Sequence, residues 1–361
     1  MTIAVGEPIE ALLPDLVEPE TGAALRLVAP AGGEPALTAP DGRTYPIRDG
    51  IPRFTDVDDA DQSQTRDSFG YKWTRIGSYG STGMRGSSQA WLVARYGFAD
   101  PATMRAYFAG RGSILDLGCG SGFSASLWME DQWQGPRWVG VDISRAIEVA
   151  RDRIGTQPGT WFVQADALHL PFRDGAFDTV FSEGVLHHTP STRRALASAA
   201  RVLAPGGEIL FYVYRRKSPV REFTDDHLRA RLSAMSPEEA WDALRSLTEL
   251  GRALAEIKAE VVVPSDVELL GIPKGTYDVQ RLVYWHVAKL FWNDAFEFEE
   301  NQHVNFDWYH PRYAHRQSEE EIRAWCAEEG LEIGHLDVQE SGYTVRAIKV
   351  GGAAAPEAYD G

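Results

Sequence analysis

The chain has 361 residues, 43% apolar and 24% charged, with 52 acidic against 36 basic side chains and a formal net charge of −16. This suits a globular protein longer than one minimal domain, and the acidic balance weighs against a main role in gripping nucleic-acid backbones or anionic membranes. Cys119 and Cys326 are the only cysteines, which excludes a disulfide framework and a four-cysteine metal site. No apolar run reaches about 18 residues and the first residues lack a basic segment ahead of an apolar one, so a cytoplasmic protein without a membrane span or secretory signal is expected.

In chain order, residues 1–55 are rich in Pro and Gly and read as a small β module, with Asp41-Gly42 and Asp49-Gly50 as turn signals. Residues 56–110 read as a linker, acidic at its start, followed by helices. From about Ser113 the rhythm changes. Short apolar runs at Ile114-Leu115, Trp138–Val141, Trp161–Val163, Phe177–Phe181 and Ile209–Tyr214 alternate with helical patterns. That alternation predicts an α/β fold with a parallel sheet covered on both faces.

Residues 216–316 interrupt the alternation with a mostly helical insertion, in which Asp278–Trp292 shows one apolar stripe at helical spacing. Ser318 with Glu321 is a capping-box signature opening a helix that stops at Gly330. Leu331–Val338 and Tyr343–Val350 close the domain as strands, so it spans 111–350. Residues 351–361 are small, polar and aperiodic and are expected to be a disordered tail.

The segment Ile114-Leu115-Asp116-Leu117-Gly118-Cys119-Gly120-Ser121-Gly122-Phe123 reads as strand, glycine turn and helix start. Its glycines permit a tight turn and close approach of a ligand to the backbone. A dinucleotide turn wants G-x-G-x-x-G, and Phe123 stands where its third glycine belongs, which disfavours a nicotinamide-dependent oxidoreductase. Three further strands end in Asp142, in Asp166 and in Ser182-Glu183. A carboxylate at the end of the second strand is where a ribose diol is held.

This ordered set resembles the class I S-adenosylmethionine-dependent methyltransferases, in the type 11-like branch common among small-molecule enzymes. The resemblance implies a Rossmann-like seven-stranded sheet with S-adenosyl-L-methionine as cofactor. By it, Asp116, Gly118, Cys119, Gly120 and Gly122 line the methionine end, Asp142 holds the ribose with Ile143 against the adenine, and Asp166 with Ala167 meets the adenine amino group. Ser182 and Glu183 face the sulfonium. Phe69 and Trp73, within Ser68-Phe69-Gly70-Tyr71-Lys72-Trp73, resemble a segment that folds over the cofactor. Leu25–Phe54 resembles a zinc-ribbon module fused ahead of such domains, but Leu27, Pro30, Thr38 and Asp41 stand where its cysteines would, so no metal is expected there.

Methyl transfer to a hydroxyl needs alignment, exclusion of water and a base. His187 and His188, just past the fourth strand, are candidate bases, and His310 is a third. Eleven aromatic residues crowd Tyr277–Arg316, and Trp308, Tyr309, Arg312, Tyr313 and His315 are the expected substrate-pocket residues. The expected function is O-methylation of a hydroxylated or sugar-like small molecule, with nitrogen and carbon acceptors as alternatives and neither nucleic acid nor membrane as partner. A non-catalytic partner subunit is the rival from another class, and a homodimer is an open arrangement.

Overall fold

The computed structural model describes residues 7–29, 33–55, 59–74, 80–129 and 133–351, so most of the expected tail lies outside the described residues. The chain begins with a four-stranded antiparallel sheet of β1 (Arg26–Val28), β2 (Ala36–Thr38), β3 (Thr44–Arg48) and β4 (Ile51–Pro52). Three helices follow: α1 (Ala60–Thr74), α2 (Thr82–Arg95) and α3 (Pro101–Ala109). Asp100 caps α3 by accepting from Thr103 N, with Pro101 at its first turn, an arrangement local sequence specifies.

The central domain runs β5 (Ser113–Leu117), α4 (Ala125–Trp128), β6 (Arg137–Asp142), α5 (Ala146–Ile154), β7 (Thr160–Gln164), β8 (Phe177–Glu183), α6 (Thr192–Val202) and β9 (Leu203–Tyr214). The insertion follows as α7 (Pro219–Leu232), α8 (Pro237–Glu256), a hairpin of β10 (Glu260–Val263) and β11 (Gly275–Asp278), α9 (Val279–His286) and α10 (Phe298–Tyr309). The chain then closes through α11 (Glu319–Glu328), β12 (Leu331–Val338) and β13 (Gly342–Lys349).

The seven-stranded sheet has the order β12-β13-β9-β8-β5-β6-β7. The pairs from β9 to β7 are parallel, and β13 is antiparallel to both its neighbours. Alternation along each strand splits the core into two layers. Leu115, Leu117, Val139 and Val141 face α6, α11 and the apolar side of the N-terminal sheet. Ile114, Trp138, Phe162 and Phe181 face α2 to α5. Because helices or the small sheet cover both faces, the strands carry near-continuous apolar runs.

One expected element is shorter than its pattern. The stripe over Asp278–Trp292 yields a helix only to His286. Beyond it the chain is caught by side chains rather than by helical bonds: Gln280 Nε2 donates to Leu290 O at 2.7 Å, and Asn305 Oδ1 accepts from Phe291 N at 2.9 Å. These partners satisfy the backbone groups the helix would have paired.

Candidate active site

The order of the sheet reverses between β5 and β8, and ligands of open α/β sheets bind at the carboxyl ends of strands beside such a point. A cavity of about 500 Å³ opens there. Its floor is made by the ends of β5 to β8: Leu117-Gly118, Val141 to Ile143, Ala165 to Ala167 and Glu183 to Val185.

The glycine turn is shaped as the sequence requires. Gly118 and Gly120 have φ of 74° and 54°, which L side chains rarely adopt. A Cβ on Gly118 would also lie 2.3 Å from Val185. Asp142 binds the turn in place, accepting from Gly120 N at 2.9 Å through Oδ2 and from Ser144 N and Oγ at 2.8 and 2.6 Å through Oδ1. Each carboxylate oxygen carries two acceptor sites, so these three bonds fill Oδ1 and leave one site, on Oδ2, for a ligand hydroxyl. Asp166 accepts from Leu168 N at 3.0 Å and lines the cavity.

Of the residues expected at the cofactor, Gly118, Asp142, Ile143, Asp166, Ala167, Glu183, Phe69 and Trp73 line the cavity. Asp116, Cys119, Gly120, Gly122 and Ser182 stand behind that wall. Asp116 is buried, its Oδ2 without a hydrogen-bond partner among the described residues, and burial pushes its pKa to about 8. Burial likewise raises the Cys119 thiol well above its usual range, so it is no nucleophile at neutral pH. Ser182 Oγ donates to Leu117 O at 3.1 Å. Glu183 accepts from Tyr96 OH at 2.6 Å, and burial pushes its carboxyl to about 8.

The three histidines separate. His188 lines the cavity; its Nδ1 lies 2.6 Å from Tyr313 O, which fixes the proton on Nδ1, and its buried Nε2 has no hydrogen-bond partner among the described residues. Burial lowers its pKa to about 4, so the ring is neutral. His187 is fully buried off the cavity against Tyr214, with ring centroids 3.6 Å apart, and burial holds it neutral. His310 lies at the end of α10 with Nδ1 2.8 Å from Ser68 Oγ and Nε2 3.3 Å from Met235 O.

Trp308, Tyr309, Arg312, Tyr313 and His315 do not line the cavity. Trp308 backs it, its ring centroid 4.4 Å from that of Tyr214. Tyr309 OH donates to Asp225 at 3.0 Å, Arg312 reaches Ser233, and Tyr313 OH donates to Asp59 at 3.0 Å. His315 N donates to His187 O, tying the segment to the histidine pair.

The far wall is built by residues the sequence did not single out. Trp91 of α2, Tyr212 and Tyr214 of β9, and Phe291 and Phe296 of the insertion supply rings. Lys72 of α1 and Asp307 of α10 form an ion pair of 2.8 Å at the cavity, where burial opposes the charged carboxylate but Lys72 holds its pKa below the usual range. Among the described residues no group of three or more His, Cys, Asp or Glu is arranged for a metal, and no helix is long and apolar enough to cross a membrane.

Residues 115–211 match the family model described as "Methyltransferase domain". The chain therefore carries a class I S-adenosylmethionine-dependent methyltransferase domain, a type whose cofactor is S-adenosylmethionine. It is 35% identical over 113 residues to the probable tRNA methyltransferase 9B of Mus musculus, covering 30% of this chain and 23% of that one. It is 33% identical over 126 residues to a phthiotriol/phenolphthiotriol dimycocerosates methyltransferase of Mycobacterium ulcerans, covering 35% and 46% of the two chains. Methyltransferase GfsG of Streptomyces halstedii is 38% identical over 100 residues, or 27% and 35%. The matched segment thus spans between about a quarter and a half of these relatives. Among solved structures, magnesium protoporphyrin IX methyltransferase of Synechocystis PCC 6803 matches at 18% identity and a TM-score of 0.40, over 80% of this chain and 99% of that one.

Proposed function

We propose that this protein transfers the methyl group of S-adenosylmethionine to a hydroxyl of a small organic acceptor. The observation that carries the reading is one continuous cavity that joins the glycine turn, Asp142 and Asp166 to His188 and a wall of aromatic rings. The residues fit the cofactor. Asp142 receives a ribose hydroxyl at the free acceptor site of Oδ2, Ile143 and Ala167 flank the adenine, Asp166 accepts from its amino group, and Glu183 faces the sulfonium. The cofactor supplies an electrophilic methyl group carried on a positively charged sulfur.

His188 takes the acceptor's proton. Its Nδ1–H is committed to Tyr313 O, so the lone pair a base needs lies on Nε2, which is buried and without a hydrogen-bond partner among the described residues. Phe69 packs on that ring with centroids 4.9 Å apart and helps exclude water. The rings of Trp91, Tyr212, Phe291 and Phe296 favour a hydroxylated acceptor with substantial apolar surface over a free sugar. One relative is named for phthiotriol and phenolphthiotriol dimycocerosates and another for tRNA. A net charge of −16 and the acidic side chains of Asp142, Asp166 and Asp307 in the cavity favour the small molecule.

The test is incubation of the protein and S-adenosylmethionine with a panel of phenols, hydroxylated polyketides, sugars and short RNAs, read by mass spectrometry. Gain of one CH₂ by a hydroxylated apolar compound is the expected result. Methylation confined to the RNAs or to amines would overturn the assignment.

A further inference from the structure

The far wall of the cavity is made mainly of rings and aliphatic side chains, so the few polar atoms that reach it decide which acceptors it holds. Asn293 supplies one of them, from the loop between α9 and α10 that also carries Phe291 and Phe296.

That loop lies along α10 in a fixed register. Tyr309 OH accepts from Lys289 N at 2.9 Å, Asn305 Oδ1 from Phe291 N at 2.9 Å, and Asn301 Oδ1 from Asn293 N at 2.7 Å. Every second loop residue thus meets every fourth residue of the helix. Two residues of extended chain rise about 6.6 Å and four of helix about 6.0 Å, so the spacings match. On its other side the loop abuts α2, where a Cβ on Gly83 would lie 2.1 Å from Ala295 O. Glu300 of α10 ties the same corner by accepting from Ser81 N and Oγ at 3.1 and 2.7 Å. A side chain set in such a frame is in place before a ligand arrives.

Most polar atoms of Asn293 are engaged. Its N–H goes to Asn301, its C=O accepts from Asn301 Nδ2 at 3.2 Å and Phe296 N at 3.1 Å, and its Oδ1 accepts from Ala295 N at 3.0 Å. Because Ala295 N–H can only donate, the amide cannot turn over. The atom left for the cavity is Nδ2, which has no hydrogen-bond partner among the described residues. Ser87 and Ser88 also line this wall, but a hydroxyl both donates and accepts and so discriminates less.

We propose that Asn293 is a specificity residue whose Nδ2 donates to a carbonyl oxygen of the acceptor, carried on its apolar framework apart from the hydroxyl that is methylated; this rests on the acceptor reading of the same cavity. The substrate class narrows to hydroxylated apolar compounds with a second, carbonyl oxygen. An analogue with CH₂ at that place leaves the amide unpaired among rings and binds more weakly.

The test titrates matched phenols into the whole chain saturated with S-adenosylhomocysteine: para-hydroxyacetophenone against para-ethylphenol, and para-hydroxybenzylacetone against para-butylphenol. Each pair exchanges a carbonyl for a CH₂. The wild type is expected to bind at least one ketone about tenfold more tightly than its alkyl match. Asn293→Asp keeps the oxygen that Ala295 N needs and replaces the NH₂ by a second oxygen. It should abolish the preference while affinity for the alkyl phenols stays within about threefold. Asn293→Ser, which can still serve Ala295 N, should do the same, and unchanged affinity for S-adenosylhomocysteine shows that each variant keeps a folded site. A wild type that prefers neither ketone, or a preference that persists in either folded variant, overturns the inference. The expected binding pattern without methyl transfer to any phenol supports it and counts against the hydroxyl reading instead. No binding of any phenol overturns both.

Discussion

At the residue scale, the site depends on which histidine faces the cavity and in which tautomer. The sequence places His187 and His188 side by side after β8, and nothing local separates them. The fold does: His187 goes into the core against Tyr214, and His188 meets the cavity with Nδ1 held by Tyr313 O. His188→Gln should lower kcat by about 10²–10⁴-fold, with the affinity for S-adenosylhomocysteine kept within about threefold. Burial lowers the His188 pKa to about 4, so the ring is the competent neutral base above that pH and protonated below it. The acid limb of the rate profile should therefore lie well under pH 6, and a limb at the ordinary histidine value would contradict the assignment. Asp142 and Asp166 were legible because a strand-end carboxylate is a local pattern. Lys72, Trp91 and Tyr212 were not, because three separate elements bring them together.

At the element scale, the strand–turn–helix of β5 and α4 and the cap of α11 follow from short-range signals, and the structure shows both where the sequence puts them. The insertion is less legible. Its aromatic density announces a ring-lined wall, yet Phe291 and Phe296 line the cavity while Trp308 stands behind it. Burial on one side of a helix or the other is set by packing partners that periodicity does not name.

The glycine turn gives a sharp test at this scale. Gly120→Ala places a Cβ at φ 54° and 2.9 Å from Trp73, whereas Gly206→Ala imposes a similar backbone, φ 78°, with nothing within 4 Å. Both should lose about 1–2 kcal/mol of stability. Only Gly120→Ala should also weaken S-adenosylhomocysteine binding, by tenfold or more, as read by thermal melts and titration.

At the scale of the whole molecule, the N-terminal sheet and the central sheet share one core. Leu12, Leu16, Leu37, Ile47 and Phe54 pack in the same cluster as Val163 and Phe172. The outer strand β7 does not end in open solvent: Phe54 N donates to Gln164 O at 2.8 Å and Arg53 bridges Gln164 in parallel. An uncovered edge strand is a template for other chains, and this one is covered by the chain itself. Resemblance to a metal ribbon whose cysteines are replaced left the role of residues 1–55 open, and the packing of Leu12, Leu16, Leu37, Ile47 and Phe54 supports the sheet that carries Asp142.

The same fold gathers buried acids at one end of the sheet. Asp116 and Glu183, each pushed to about 8 by burial, and Asp142, also raised by burial, lie towards the carboxyl ends of β5, β8 and β6. The most direct measurement is calorimetric titration of the whole chain with S-adenosylmethionine, S-adenosylhomocysteine and NADH, beside the Asp142→Ala variant. Micromolar binding of both sulfur compounds, none of NADH, and a loss of at least tenfold in the variant, about 1.4 kcal/mol, is the predicted result. Binding of NADH alone, or affinity for the sulfur compounds unchanged by Asp142→Ala, would contradict the account.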